Sequence, residues 1–432
     1  MRTKNLFQRL ALGVGIVVST LLLTAVAAEA QIPAPPQERP VALTGATIHT
    51  ITRGVIENGT IVFDNGVITE IGPNVQIPAG AERIDARGRH IYPGLIDAFS
   101  TMGLFEIGGI TQAIDLNELG TINPNVRAAV AVNPESRHIG VARSAGVLIT
   151  LTSPAGGLIS GLGAAMMLDG WTWEQMTLKG GAALIVNWPS PANENQYARQ
   201  LRELRDAFAA ARAYHTAQQA AHRNEGPAHD TDSRWEAMIP VLEGQVPVVV
   251  SADGISQIQD AITWAEEEGV RLVIRGGRDA CYLADHLAQR QIPVLLTSVL
   301  AAPSRPWEPY DHAYGRPARL HAAGVPFAIT GGAGAANANS LPFEAGAAVA
   351  FGLPAEEAVK AVTLYPARFL GIDDRVGSLE PGKEATLLIT TGNPLEYATE
   401  VEQAFIQGRK LDMTDQHRQF LQKYMERVER DG

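Results

Sequence analysis

Cysteine is nearly absent: Cys281 is the only one in 432 residues, which excludes an internal disulfide and any thiolate metal cluster. Long apolar runs are as scarce. One lies near the N-terminus, and none beyond it approaches the roughly 20 residues that span a bilayer, so no membrane partner is expected for the rest of the chain. Basic charge is in deficit as well, with 35 Lys and Arg against 46 Asp and Glu, a net charge of −11. That balance disfavours nucleic acid and anionic membrane surfaces as partners. Glycine, by contrast, is plentiful at 42 residues, as a chain with many tight turns requires.

The one apolar run sets the expected compartment. Arg2, Lys4 and Arg9 precede residues 11–27, and Ala28-Glu29-Ala30 closes the run before Gln31. A positive head, a short greasy middle and a small-x-small exit describe a secretory signal peptide over residues 1–30 and predict a periplasmic or secreted protein. A retained N-terminal anchor is the competing interpretation, for which the run is short. Removing Arg2, Lys4, Arg9 and Glu29 leaves 32 basic against 45 acidic residues, a net charge of −13. The Pro-rich residues 31–40 are expected to be a linker.

Period-two patterning at residues 41–51, 59–63 and 67–72, joined at Asn65-Gly66, predicts short strands and a hairpin. Further short strands are expected at 386–389 and 401–410. Between these ends, apolar runs at 147–150, 183–187, 246–252, 271–274, 292–297 and 325–330 alternate with helical patterns at 255–268, 280–289 and 354–364. Such alternation predicts βα units around a parallel sheet. Residues 193–223 carry Leu201, Leu204 and Phe208 at helical spacing and are expected to form a long inserted helix. Residues 331–339 are low in complexity and expected to form a mobile loop, and residues 412–432 a C-terminal helix.

Three blocks in order carry a family resemblance. Ile91-Tyr92-Pro93-Gly94-Leu95-Ile96-Asp97-Ala98 resembles the first barrel strand of the amidohydrolase superfamily, the group of imidazolonepropionases, dihydroorotases and urease-like hydrolases. Thr363-Leu364-Tyr365-Pro366-Ala367-Arg368-Phe369-Leu370-Gly371 is similar to the helix before the chain leaves the barrel. Gly377-Ser378-Leu379-Glu380-Pro381-Gly382-Lys383-Glu384-Ala385 is similar to the return into the small β-domain. The resemblance implies an α/β fold: a (β/α)₈ TIM barrel over residues 91–374, with a small composite β-sandwich domain from residues 41–90 and 375–411. It does not by itself imply an activity, which resides in the site.

It does imply where a metal centre would stand. Hydrolases of this type hold one or two divalent ions at the C-terminal mouth of the barrel, where the ion acidifies a bound water. The usual ligands are a His-x-His pair ending the first strand, a His after each of the fifth and sixth strands, and an Asp after the eighth. In this chain the pair falls on Phe99 and Thr101, the fifth strand offers Ser251, the sixth offers Gly276 beside Arg275, and the eighth offers Gly331. None supplies imidazole or carboxylate, so no metal or other cofactor is expected. His90 lies at the wrong end of the first strand, and His286 and His321 fall in helical patterns. His215 and His222 are separated by about 10.5 Å along a helix axis, too far to share an ion. Lys179 precedes its strand and belongs at the bottom of the barrel.

Charged residues nevertheless remain near the expected mouth. Arg275 and Arg278 suit a carboxylate ligand, and Asp253 is the candidate general base. Asp97, Phe99, Thr101 and Ser251 would complete the ligand site. Asp253 and Asp279 are equally good caps for helices starting near 255 and 280. Two functions follow as expectations. One is an exported pseudo-hydrolase that binds a small molecule, as a homo-oligomer or beside a paralogue with intact ligands. The other is an active hydrolase of carbon–nitrogen bonds other than peptide bonds. The second is the weaker, because acid–base help alone supplies only about 10²–10⁴-fold.

Overall fold

The computed structural model describes residues 32–227, 230–332 and 334–431, so the expected signal peptide lies outside the described residues. The first strands form where the alternation expects them: β1 (Val41–His49), β2 (Val55–Asp64) and β3 (Val67–Gly72). Asn65 and Gly66, at φ of 49° and 80°, make the tight β2–β3 turn, whose twist matches that of the strands. β4 (Glu82–Asp85) and β5 (His90–Pro93) both run parallel to β1, along its first and last residues respectively.

Gly94 then separates β5 from the barrel. The barrel strands are β6 (Leu95–Ser100), β7 (Val147–Thr152), β8 (Ile159–Met167), β9 (Thr177–Asn187), β10 (Val248–Ala252), β11 (Leu272–Gly276), β12 (Val294–Leu296) and β13 (Phe327–Ile329). They are hydrogen-bonded in sequence order. β13 lies beside β6, which nearly closes the sheet into a TIM-type barrel. The strands are buried on both faces, as in sheets sandwiched between a barrel core and a helical layer.

One strand departs from the expected repeat. β8 pairs antiparallel with both β7 and β9, so the barrel is not built from eight parallel βα units. The cause is the connection after β7. Residues 153–158 contain Gly156 and Gly157 at φ of 77° and 62°, which turn the chain straight back. Six residues are too few for a crossover, which needs about a dozen.

The chain leaves the barrel and adds β14 (Leu387–Thr390), β15 (Val401–Ile406) and β16 (Arg409–Lys410) to the first sheet, with β14 antiparallel to β5. Both ends of the described chain thus build one mixed sheet of eight strands. It has a core of its own, including Leu43, Ile61, Phe63, Leu387 and Phe405. Its strands are hydrogen-bonded as one sheet, and Phe63 of β2 meets Phe405 of β15 at 5.2 Å across three intervening strands, so the sheet folds over its own core, in part as the expected sandwich would. It extends through Pro93, three residues past the expected boundary. The stretch expected as a linker is fastened to the rest: Ala34 N donates to Asp169, and the Gln37 side chain bonds Phe63 O and Gly66 N.

The long insertion is a helix, Glu194–His222, capped by Asn193 and burying Leu204, Ala207, Phe208 and Ala211. Phe208 meets Trp264 edge-to-face at 5.0 Å, which seats the insertion on the helix Ile255–Glu268. The C-terminal helix is Gln416–Asp431. Among the described residues no helix is long and apolar enough to cross a membrane.

Candidate functional site

The C-terminal ends of the parallel strands define the barrel mouth, and three of the expected positions meet there. Ser251 and Arg275 are partners in the β10–β11 ladder, and Arg275 Nη1 donates to Ser251 Oγ at 3.0 Å. The guanidinium carbon of Arg275 stands 3.8 Å from the centroid of the Phe99 ring. β6 and β11 are not neighbours in the sheet, so this cation–π contact crosses the inside of the mouth. No carboxylate among the described residues comes within ion-pair distance of Arg275, and its Nε is buried without a hydrogen-bond partner. Burial pushes its guanidinium below the ordinary arginine range, against the pull of Asp253 and Asp97.

Asp97 lies beneath this contact and is fully buried. Its Oδ1 accepts from Phe99 N at 3.3 Å and from Gly331 N at 3.2 Å, which ties the end of β6 to the end of β13. Its Oδ2 has no hydrogen-bond partner among the described residues, nor have the hydroxyls of Ser100, three residues further along β6, and of Thr330, next to Gly331. Loss of hydration pushes the carboxyl up to about 7, although the two backbone donors oppose the shift.

The other expected residues stand apart from this contact. Thr101 Oγ1 accepts from Ala335 N at 3.0 Å. The segment expected to be a mobile loop is instead a short helical turn, Ala335–Ser340, with Ala335 and Ala338 buried. Asp253 is exposed and its Oδ1 accepts from Arg278 N at 3.3 Å. It caps no helix, since Gly254 holds that position before Ile255–Glu268. Arg278 faces Asp279 at 3.7 Å and not Arg275. Asp279 forms no side-chain cap either; Arg305 holds it with two bonds, at 2.9 and 2.7 Å.

Lys179 is at the bottom of the barrel, where its Nζ donates to Leu370 O and Gly371 O at the end of the helix Leu364–Leu370. No motif singles out Arg305, Glu308 or His312, although all three reach the rim beside Asp279. Their spacing of three and four residues is the only local signal, in a stretch without helical or strand patterning. A cavity of about 580 Å³ lies on the outer flank of β8 and β9 beside Trp173, Lys179 and Gln245, and none of the polar groups of the mouth lines it.

A model of the Amidohydrolase family matches residues 247–413, from the approach to β10 to just past β16. The imidazolonepropionase of Geobacillus kaustophilus is 27% identical over 380 residues, which are 78% of this chain and 84% of that protein. The amidohydrolase tasK of Hapsidospora irregularis is 23% identical over 81% of this chain, and the match spans only 39% of that longer protein. A solved amidohydrolase from Thermotoga maritima superposes with a TM-score of 0.79 at 27% identity, covering 86% of this chain and 99% of that one. The chain belongs to the amidohydrolase superfamily. Its likeness to the imidazolonepropionase and to the Thermotoga protein runs through the barrel and does not stop at the family-model segment.

Proposed function

We propose that this chain is a degenerate amidohydrolase that binds a small carboxylate at the barrel mouth instead of hydrolysing a substrate with a metal ion. The observation that carries the proposal is Arg275, stacked on Phe99, bonded to Ser251 and lacking a carboxylate partner. A half-buried guanidinium with no carboxylate in ion-pair contact is a ready receptor for an anion, and its planar donor edge suits a carboxylate. Phe99 and Ser251 touch it and Asp97 draws on its charge, while Thr101 and Arg278 bond elsewhere at the rim.

The residues converging at this point do not fit the divalent ion that the family implies. A phenyl ring and a hydroxyl offer at most one weak donor, and a fixed guanidinium repels a dication. Nor can Gly276 readily give way to a ligand: at φ of 94°, a Cβ there would stand 2.5 Å from Asp253 Oδ1. The chain's own cation thus takes the place of a Lewis acid. It can bind and orient an anion but cannot acidify water as a metal does. The alternative, hydrolysis of a carbon–nitrogen bond with Asp253 as base, has the exposed Asp253 carboxylate in its favour and no group to activate the carbonyl.

The test is calorimetric titration with propionate, succinate and glutarate. The wild type should bind at least one of them, and R275Q should lose about tenfold or more in affinity while keeping its fold. Equal binding by R275Q, or amide hydrolysis that chelators abolish, would overturn the proposal. Export belongs to the same proposal. N-terminal sequencing of protein from the periplasm or medium should begin at Gln31, and recovery only from the cytoplasm would refute it. There the protein would act alone, as a homo-oligomer, or beside a paralogue with intact metal ligands, which co-purification would reveal.

A further inference from the structure

We propose that Asp279, Glu308 and His312 form a site for one divalent transition-metal ion on the rim, at none of the positions the family uses. Asp279 leaves the turn after β11, and Glu308 and His312 come from the segment after β12. Each offers one ligand atom, and these atoms lie within 4.8 Å of one another, the only such group of three among the described residues. Two carboxylates and an imidazole are a donor set that suits Zn²⁺, Mn²⁺ or Co²⁺.

Burial separates this group from an ordinary surface cluster of acids. Asp279, Glu308 and His312 are 2%, 8% and 4% exposed. Nε2 of His312 and Oε1 of Glu308 are both buried with no hydrogen-bond partner among the described residues. Buried polar atoms are normally paired, so a bare imidazole nitrogen beside a carboxylate oxygen held only by the ion pair with Arg305 points to something that completes the group. Glu308 Oε2 is already held by Ser304 N at 2.8 Å, Ser304 Oγ at 3.1 Å and Arg305 N at 3.1 Å, which leaves Oε1 as its coordinating atom.

Arg305 supplies the positive charge that the carboxylates otherwise require. It clasps Asp279 with both terminal nitrogens, and its Nη1 is 3.4 Å from Glu308 Oε1. Its side chain is 24% exposed and lies in a turn segment, so it can swing outward while an ion takes over its role. Metal and Arg305 therefore compete for the same oxygens, and the competition gives the proposal a signature that a purely structural ion pair lacks.

The experiment titrates the mature protein with Co²⁺, read by visible absorption, and with Zn²⁺, read by calorimetry. The wild type should bind one equivalent. R305Q should bind about tenfold or more tightly, because a cation roughly 4 Å from the incoming ion has been removed. H312Q should weaken binding by at least about a hundredfold, more than the loss of a supporting partner costs. R275Q should leave Co²⁺ affinity unmoved, so this site can fail while the carboxylate reading stands, and the reverse. Wild-type affinity in H312Q, or no gain in a folded R305Q, would overturn the proposal. If R305Q does not fold, H312Q against wild type decides it.

Discussion

At the scale of single residues, the mouth is governed by two buried charges that do not pair directly. Arg275 is stabilised by the Phe99 face and the Ser251 hydroxyl, while Asp97 spends one oxygen on two backbone donors and leaves the other bare. The raised Asp97 carboxyl has a consequence for stability. Its ordinary value is 3.8 and its folded value about 7, so the folded protein holds this proton more tightly than the unfolded chain does. The stability it contributes is complete below about pH 4 and is lost as pH rises through about 7, a decline on the order of a few kcal/mol. D97N keeps the acceptor for Phe99 N and Gly331 N while removing the titration. Urea unfolding across that range should therefore show a flatter pH profile in D97N and a gain over wild type above about pH 8. A D97N profile with the wild-type slope would assign the pH dependence to another group. Arg275 and Ser251 were legible from their places at strand ends. The stacking of Arg275 on Phe99 was not, because the two residues lie 176 positions apart in the sequence and meet only when the barrel nearly closes.

Among the elements, those with strong periodicity follow their sequence patterns closely. The helix Ile255–Glu268 and the inserted helix Glu194–His222 lie within a residue of the expected spans, because each buries one regular apolar stripe. β8 is different. Gly156-Gly157 marks a reversal in the sequence, but a repeating βα pattern does not anticipate an antiparallel strand at Ile159–Met167. The strand-end glycines also decide whether the family's metal centre could be rebuilt by substitution. A Cβ on Gly331 would lie 3.0 Å from Ala338 Cα, Ala338 O and Asn337 O, in the backbone of the turn Ala335–Ser340. Gly276 combines a left-handed φ with the close approach of Asp253. The variant F99H/T101H/S251H/G276H/G331D should therefore lose stability, by at least about 1–3 kcal/mol from the overpacking alone. It should bind no Zn²⁺ at the barrel mouth. Thermal melts and calorimetry in an H312Q background, which silences the proposed rim site, would check both expectations. A stoichiometric ion at the mouth would mean that this scaffold still supports the old centre.

For the whole molecule, the question is what holds the barrel, the composite sheet and the N-terminal segment together. Asp169 lies at their junction and is 3% exposed. It receives Arg143 Nη1 from the helix Arg137–Ser144 at 2.9 Å and Arg409 Nη1 from β16 at 2.7 Å. Ala34 N, from the segment before β1, donates to it at 3.3 Å. Burial raises the Asp169 carboxyl above its ordinary value and lowers the Arg143 guanidinium, so for both groups the loss of hydration outweighs their attraction. The cluster is thus poor evidence of net stabilisation, yet removing one member should still be costly. D169A leaves Arg143, 4% exposed, as an unpaired buried cation and unties three segments at once. The expected loss is about 3–5 kcal/mol, the range for a broken buried pair. R409A should cost less, because its side chain is 17% exposed and its loss leaves the Arg143–Asp169 pair intact. Urea denaturation of the two variants beside wild type measures both losses. Equal losses would mean that the attachment of β16, and not the buried charge of Arg143, sets the cost of opening the junction.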